Sequence, residues 1–291
     1  MQDAAAVPGC LYIVGTPIGN LRDITLRALD ILKTVDLVAA EDTRVTQGLL
    51  SAHGLQKKLI ALHEHNEREV SERLVADLAA GKSVAYVSDA GTPGVSDPGV
   101  HLVRRARAAG VPVQVVPGPS AAAAALSVAG LEAGQWLFYG FLPSKPAARR
   151  KALESLKDLP CALVFYEAPH RVCECVADLA AVLGPGREIA IARELTKLFE
   201  QVHVCRLEEA GAWLAADANR CRGEFVLIVQ GAAPHEADTD ALRATLEILL
   251  AELPLKQAVV LAVKLSGAKK NTVYQLALEL QKHGHPDDHP A

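Results

Sequence analysis

The sequence lacks the glycine-rich motifs with which the common nucleotide-binding folds hold phosphate. It contains no GxxxxGK[ST] segment, and the loop after the first predicted strand, GTPIG, is not GxGxxG. A P-loop needs its lysine to reach the phosphates, and a dinucleotide site needs its glycines to admit the pyrophosphate. The pattern therefore excludes a P-loop and argues against a Rossmann dinucleotide site.

Cysteine motifs, leader segments and long apolar runs are also missing. The six cysteines, at positions 10, 161, 173, 175, 205 and 221, form no CxxC motif. Reduced thiols are therefore expected rather than a zinc site or a disulfide framework. No signal-peptide pattern and no apolar run long enough to cross a bilayer is present, so we expect a cytoplasmic protein.

A strong charge of one sign is absent as well. The formal net charge is -4, so nucleic-acid binding would have to use local basic patches. Aromatic residues make up only 4%, which predicts a core of Ala, Val and Leu. With 291 residues, of which 50% are hydrophobic, the chain is long enough for two domains with a sizeable core.

The most informative stretch that is present is VAYVSDAGTPGVSDPG, at residues 84–99. An apolar strand ends in a loop with three glycines, two prolines and two aspartates, and without lysine or arginine. Such loops at the carboxyl ends of strands are where open α/β sheets bind ligands. The charges favour a neutral or cationic ligand, and a rigid structural turn is the alternative.

Two further Gly/Pro loops, GTPIG and PGPSA, also follow predicted strands. Strand and helix patterns alternate five times over the first 120 residues, which is typical of a mostly parallel, doubly wound sheet. Because the carboxyl ends of parallel strands share one edge, we expect the three loops to converge.

The second half has a different organisation. Closely spaced strand patterns up to residue 230 predict a mixed sheet, and the helical patterns beyond residue 240 include two short helices that resemble a helix-turn-helix. The predicted fold class is α/β, with a parallel doubly wound N-terminal sheet, a mixed second sheet and a small C-terminal helical module. The predicted domains are residues 1–118, 119–232 and 238–285.

Polar clusters follow several strands. AEDTR, at residues 40–44, is either a polar site or a structural ion-pair cluster. His63 and His65 share one face of an extended segment, but no third ligand stands at a useful spacing, so we predict no metal site. Residues 145–157 carry five basic residues and one acidic residue, and form either a solvated helix face or a phosphate-contacting lip.

Taken in order, GTPIGNLRDIT, AEDTR, VSDAGTPGVSDPG, VVPGPSA, FYGFLP, VFYEAPHR and GEFVLIVQG resemble the tetrapyrrole-methylase superfamily. Within it they are most similar to the bacterial 16S ribosomal RNA (cytidine(1402)-2′-O)-methyltransferases. The resemblance covers about residues 10–231, and the helical tail is similar to the C-terminal domain of that branch. It implies two α/β domains, normally in a homodimer, with S-adenosylmethionine folded in the cleft between them.

The resemblance also implies site residues. The implied donor-binding residues are Pro17, Asp89, Ala90, Gly91, Thr92, Val95, Ser96, Ser120, Ala121, Tyr166 and Pro169. The implied acceptor is a cytidine ribose 2′-oxygen of 16S rRNA in the small ribosomal subunit. The candidates for the base that takes its proton are Glu41, Asp42, Asp97 and Glu167, and we favour the AEDTR cluster.

Arginines and lysines complete the predicted site. Arg44, in the same cluster, and Arg171 can clamp a phosphate or pair with neighbouring acids. The candidate RNA-contacting residues are Lys145, Arg149, Arg150, Arg171, Lys269 and Lys270.

Two alternatives stay open. One is a methyltransferase of the same superfamily that acts on a tetrapyrrole or a protein side chain, and the other is a non-catalytic RNA-binding protein that keeps the fold. The basic segment 145–157 and the helical tail favour RNA, whereas the overall charge of -4 counts against it. The intact Gly/Pro loops favour an enzyme.

Overall fold

A computed structural model describes residues 5–132, 134–233 and 239–283 of the chain. The chain divides into two compact units, Met1–Gly231 and Ala232–Ala291. Residues 1–4, 133, 238, 284 and 285 of the predicted domains lie outside the described residues. Within the described ranges, no helix has the length and apolar character needed to cross a membrane.

The first sheet has five parallel strands in the order β3-β2-β4-β1-β5. The strands are β1 (Leu11–Val14), β2 (Leu37–Ala40), β3 (Leu59–Ala61), β4 (Val84–Val87) and β5 (Val113–Val116). All four residues of both β2 and β4 are buried, as expected for strands covered on two faces. This confirms the predicted parallel, doubly wound sheet.

Helices cover both faces of this sheet. They are α1 (Leu26–Thr34), α2 (Thr43–Ala52), α3 (Glu67–Ala79) and α4 (Val100–Ala108). Along β4, Ala85 and Val87 pack into the cluster that contains residues of α1 and α2. Val84 and Tyr86 pack into the cluster that contains residues of α3 and α4. This is the two-residue alternation of a strand buried on both sides.

The second sheet is mixed, as predicted. Its strands are β6 (Trp136–Phe141), β7 (Ala162–Glu167), β8 (Glu188–Arg193), β9 (Gln201–Arg206) and β10 (Phe225–Val229). They lie in the order β6-β7-β10-β8-β9. The β6–β7 pair is parallel, and the other pairs are antiparallel.

Helices also cover both faces of the second sheet. They are α5 (Ala121–Val128), α6 (Pro146–Glu154), α7 (Val172–Leu183) and α8 (Leu207–Ala215). The alanine-rich α5 packs on one face through Ala122 and Ala125. Residues of α6, α7 and α8 pack on the opposite face, against larger side chains such as Phe165. Because α5 begins directly after the β5 loop, it links the first sheet to the second.

The C-terminal unit consists of three described helices, α9 (Thr239–Glu252), α10 (Leu255–Ser266) and α11 (Lys270–His283). Their apolar faces share one core, which includes Leu246, Val259 and Val273. Helix α10 ends at Gly267, whose left-handed φ of 67° suits the turn into α11. The predicted pair of short helices around a glycine-containing turn is confirmed.

Candidate active site

Three loops at the carboxyl edge of the first sheet meet in the structure. The main chains of Thr16 and Gly91 exchange two N–H···O bonds, of 2.8 and 3.1 Å. The Thr16 hydroxyl donates to the Ser88 carbonyl at 3.1 Å, and the Thr92 hydroxyl donates to the Pro119 carbonyl at 3.3 Å. The loop after β4 is thereby bound to the loops after β1 and β5, which confirms the expected convergence.

Two glycines allow the β1 and β5 loops to touch. A Cβ on Gly15 would lie 2.8 Å from the Cα of Gly118, and a Cβ on Gly118 would lie 2.9 Å from the Cα of Gly15. Both obstacles are backbone atoms, which cannot rotate away as a side chain can. Glycine is therefore required at both positions for this close approach.

The three loops form one wall of a cavity of about 340 Å³, which we call the central cavity. The second sheet supplies the other wall, and the volume suits a small-molecule ligand. The cavity is lined by Ile18, Ala90, Gly91, Thr92, Val95, Ser96, Asp97, Ser120, Ala121, Phe141, Tyr166, Glu167, Ala168, Pro169, Leu195, Glu224, Phe225 and Val226.

The charged side chains among the described lining residues of the central cavity are all carboxylates, and two of them are paired with Arg171 and Lys197. Among its described lining residues, the charged ones are Asp97, Glu167 and Glu224. Burial raises the pKa of Asp97 to about 6, the nearby Glu41 and Asp89 add to the rise, and a hydrogen bond with Ser88 opposes it. The cavity therefore suits a neutral or cationic ligand, and Asp97 changes its charge close to neutral pH.

Helix α5 begins at the cavity, where the N-cap residue Ser120 makes no capping hydrogen bond with its side chain. The Tyr166 hydroxyl instead accepts the N–H of Ala122 at 3.2 Å. The Ser120 hydroxyl lies beside that of Tyr166 and keeps hydrogen-bonding capacity, since a hydroxyl has one donor and two acceptor sites. It is therefore suited to bind a ligand in the cavity.

The β4 loop approaches β6 beside the cavity. Ser96 has a left-handed φ of 64°, which is uncommon for a residue other than glycine. A Cβ on Gly140 of β6 would lie 3.0 Å from the Ser96 Oγ, and β6 has a register shift between Phe138 and Gly140. This irregularity brings the second sheet against a strained loop, and such strain is concentrated at functional sites.

Nine of the eleven predicted donor-binding residues line the central cavity. They are Ala90, Gly91, Thr92, Val95, Ser96, Ser120, Ala121, Tyr166 and Pro169. Pro17 and Asp89 instead line a neighbouring cavity of about 370 Å³, together with Val45 and Leu49 of α2. The segment 88–91 contributes residues to both cavities and separates them.

The AEDTR cluster lies outside the lining of the central cavity. Asp42 accepts the Arg44 N–H at 2.8 Å and binds the Arg44 guanidinium at 2.6 Å. These hydrogen bonds lower the pKa of Asp42 to about 2, which makes Asp42 a weak base. Glu41 is more basic, because burial raises its pKa, and its carboxylate accepts the Asp89 N–H at 3.3 Å.

Glu167 lines the cavity, but its carboxylate is already paired. Its side chain is fully buried, accepts the Ala168 N–H at 2.8 Å and lies 3.3 Å from the Arg171 guanidinium. Arg171 also donates to the carbonyls of Leu142 and Pro143, at 2.8 and 3.3 Å. This pair shapes the loop after β7 and is the pairing with a neighbouring acid that the sequence offered as the alternative role of Arg171.

The predicted RNA-contacting residues differ in exposure. Lys145, Arg150, Lys269 and Lys270 are exposed. Arg149 is only 1% exposed and bonds Asp178 at 2.6 Å through its guanidinium. Arg149 is therefore a core residue, and the prediction that it contacts RNA is wrong.

Seven lining residues were not among the predicted site residues. They are Ile18, Phe141, Ala168, Leu195, Glu224, Phe225 and Val226. Strand pairing explains part of this set, because Phe225 at the start of β10 pairs antiparallel with Glu167 at the end of β7. Because β10 runs antiparallel to β7, it reaches the site at its beginning. A prediction that considers only the carboxyl ends of strands therefore misses Phe225.

Comparison with known proteins matches both units. The family model for Tetrapyrrole (Corrin/Porphyrin) Methylases matches residues 10–211, and the RsmI C-terminal HTH domain matches residues 236–281. Ribosomal RNA small subunit methyltransferase I of Escherichia coli O157:H7 is 51% identical over 96% of this chain and 98% of that protein. Its namesake in Pseudomonas aeruginosa is 50% identical over 94% of this chain and 98% of that protein.

Solved structures share the fold of the first unit. Uroporphyrin-III-C-methyltransferase from Thermus thermophilus aligns with a TM-score of 0.55 at 24% identity, over 76% of this chain and 94% of that chain. A structure of the same enzyme complexed with S-adenyl homocysteine aligns with a TM-score of 0.54 at 21% identity, over 76% of this chain and 96% of that chain. The matches in sequence and fold agree with the resemblance of the motifs. The chain belongs to the tetrapyrrole methylase family and, within it, to the methyltransferases of the ribosomal RNA small subunit methyltransferase I family.

Proposed function

We propose that this chain transfers a methyl group from S-adenosylmethionine to the ribose 2′-hydroxyl of cytidine 1402 in 16S ribosomal RNA. The observation that carries the proposal is the central cavity, in which loops from both sheets surround carboxylates without a described basic side chain. The names of relatives at about half identity support small-subunit ribosomal RNA as the acceptor. The resemblance of the motifs supports the cytidine ribose.

The residues of the central cavity fit S-adenosylmethionine. A sulfonium cation is favoured by carboxylates and backbone carbonyls where no Lys or Arg competes. An adenine ring suits a slot of small and apolar side chains such as Ile18, Ala90 and Ala121. The Ser120 hydroxyl, which does not cap α5, offers a hydrogen bond to the donor.

When bound, S-adenosylmethionine supplies an electrophilic methyl group. The protein must then accept the proton of the ribose hydroxyl, and Asp97 is the carboxylate best placed for this. It lines the cavity, and its pKa of about 6 leaves it ionised at pH 7 but more basic than an ordinary aspartate. A general base contributes about 10²–10⁴-fold to such a rate.

Alignment is the second contribution of the protein. The β1 and β5 loops touch through Gly15 and Gly118, and the β4 loop is hydrogen-bonded to both. Well-oriented reactants reach effective molarities of roughly 10⁵–10⁸ M, so rigid loops are worth more here than further charged groups.

The assembly and location of the protein are part of the same proposal. We place the enzyme in the cytoplasm, with the small ribosomal subunit or its RNA as partner, and in the homodimeric form that the resemblance implies. Apolar side chains are exposed at Trp136, Phe141 and Phe199, and exposed apolar side chains are the kind that a second copy buries. Light scattering on the purified chain measures the oligomeric state.

Calorimetric titration with S-adenosylmethionine tests the donor site. We expect saturable binding by the wild type and about 2–10-fold weaker binding by Ser120→Ala, which is the effect of one hydrogen bond. Ser127→Ala is the matched control, because Ser127 lies on the same helix and its exposed hydroxyl bonds the Ala124 carbonyl. Absence of donor binding by the wild type, with or without RNA, would refute the proposal.

Deletion of residues 241–291 tests the role of the C-terminal unit. Between residues 241 and 282 this unit carries six basic and three acidic residues, so it is expected to contribute phosphate contacts. We expect the truncated chain to keep its affinity for S-adenosylmethionine and to lose most of its methyl transfer to small-subunit RNA. Transfer of labelled methyl groups at several salt concentrations measures this.

A charge-matched pair of variants localises the contact. Lys269→Ala/Lys270→Ala removes two exposed charges at the turn into α11, and Arg243→Ala/Lys256→Ala removes two charges elsewhere in the unit. The first variant is expected to weaken RNA binding more strongly and to reduce its salt dependence. Equal effects of both variants would mean that RNA binding depends only on the net charge of the unit. Full methyl transfer by the truncated chain of the previous experiment would mean that the C-terminal unit has another role.

A further inference from the structure

Cys173 and Cys221 bring two thiols together outside the central cavity. Their Sγ atoms lie 3.1 Å apart, although the residues are separated by 48 positions in the sequence. Both cysteines are free; Cys173 is exposed and Cys221 is partly exposed. A disulfide bond length is about 2.05 Å, so bond formation requires an approach of about 1 Å.

The two thiols lie next to segments that line the central cavity. Cys173 is the second residue of α7 and follows the segment 167–169, which lines the cavity at the end of β7. Cys221 ends a short 3₁₀ helix, Ala218–Cys221, and stands three residues before Glu224, which also lines the cavity. A covalent bond between them would therefore link two segments of the same wall.

We propose that Cys173 and Cys221 are a redox modification site, at which a low-molecular-weight disulfide converts the two thiols into a reversible intramolecular disulfide. One cysteine, as its thiolate, attacks the small disulfide, forms a mixed disulfide and releases one small thiolate. The second cysteine, also as its thiolate, attacks the mixed disulfide and releases the second small thiolate. The two cysteines lose two electrons and two protons, and the small disulfide is reduced to two thiols.

The environment of the pair favours the reduced thiols. Although Cys173 is exposed overall, partial burial of its thiol raises its pKa to about 11, and the neighbouring Cys221 thiol adds to the rise. Little thiolate is present at neutral pH, so the exchange is slow and a reducing compartment keeps both thiols free. The bond forms when small disulfides accumulate.

The expected consequence is greater stability with an unchanged donor site. A bond between residues 48 positions apart restricts the unfolded chain more than the folded one. We expect the midpoint of thermal unfolding to rise by roughly 5–10 °C. Neither cysteine lines the central cavity, so the affinity for S-adenosylmethionine is expected to stay within about twofold, which is less than the effect of one hydrogen bond.

The test exposes the full chain to oxidised glutathione, then denatures it and labels it with N-ethylmaleimide for intact-mass measurement. The reduced protein is expected to take six labels and the oxidised protein four, with no glutathione retained. Peptide mapping is expected to find residues 173 and 221 in one cross-linked peptide. The thermal shift is measured on the same samples.

Two single variants control this result. Cys173→Ser is expected to take five labels before exposure to oxidised glutathione. After exposure it can lose a label only by retaining a glutathione, and its unfolding temperature is expected to stay unchanged. Cys205→Ser, which removes another partly exposed thiol, is expected to fall from five labels to three and to keep the shift. Six labels on the exposed wild type, a stable glutathione adduct on it or a cross-link between other cysteines would overturn the proposal. None of these readouts depends on methyl transfer.

Discussion

Replacement of Asp97 by asparagine is expected to reduce methyl transfer by about 10²–10⁴-fold, the usual contribution of a general base. Asparagine keeps the shape of the side chain but cannot accept the proton of the ribose hydroxyl. S-adenosylmethionine is still expected to bind saturably, because the other lining residues are unchanged. Single-turnover transfer of labelled methyl groups to small-subunit RNA measures the chemical step separately from binding.

Asp89→Asn is the matched control for this substitution. Asp89 lies on the same loop, and burial raises its pKa as well, but it lines the neighbouring cavity. We expect this variant to lose less than about tenfold, since it does not remove the base. A wild-type rate in Asp97→Asn would exclude Asp97 and leave Glu41 as the more basic carboxylate of the AEDTR cluster.

The same variant has a pH signature. The rate of the wild type is expected to rise as Asp97 ionises around pH 6 and then to level off, whereas Asp97→Asn lacks this rise. Because the folded pKa is raised above the ordinary 3.8, ionisation of Asp97 costs stability as the pH increases through 6. Asp97→Asn should therefore be at least as stable as the wild type at pH 7. A large drop in its unfolding temperature would mean that the lost rate reflects damaged structure.

Replacement of Arg149 by alanine is expected to lower the free energy of unfolding by about 3 kcal/mol. The Arg149 side chain is 1% exposed and that of Asp178 is 4% exposed, so the substitution leaves a buried carboxylate without its main partner. Burial alone would raise the pKa of Asp178, but hydrogen bonds from Arg150 and Arg149 lower it. Arg150 keeps one of these bonds, which holds the cost near the lower end of the usual range. Urea unfolding followed by circular dichroism measures the change.

Arg150→Ala is the control for Arg149→Ala, because both arginines bind Asp178 at 2.6 Å. The Arg150 side chain is 61% exposed, so its pair is screened by water and is worth less than about 1 kcal/mol. RNA binding is expected to show the opposite ranking of the two variants. Arg150→Ala should weaken RNA binding directly, whereas Arg149→Ala should affect it only by destabilising the fold. Equal losses of stability in the two variants would contradict the distinction between a buried and an exposed pair.

Most of the fold was predictable because local patterns and tertiary packing agree in this chain. The strand prediction at Val84–Val87 matches the structure, since a short apolar run bounded by Gly and Pro permits few other conformations. The prediction for Leu11–Val14 matches for the same reason. The alternation of strands and helices then determined the parallel sheet, because each crossover needs a helix.

The candidate site was predictable only in part. The loops after β1, β4 and β5 are marked by Gly and Pro, and nine of the donor-binding residues implied by the resemblance line one cavity. Phe225 and Val226 have no such signal, because they belong to an apolar strand that reaches the site at its beginning. Arg149 stands among exposed basic residues in the sequence, which predicts that it is exposed too, yet it is buried.

The sequence by itself determined the α/β class, the positions of the strands and loops, and the family. These depend on the spacing of apolar residues and on Gly, Pro and capping residues, whose effects extend over a few positions. The tertiary structure decided which carboxylate has a raised pKa, which arginine is buried and which cysteines touch. Those properties depend on neighbours distant in the chain, such as Glu41 near Asp97, Asp178 beside Arg149 and Cys221 beside Cys173. Burial and charge act through space, and folding alone sets those distances.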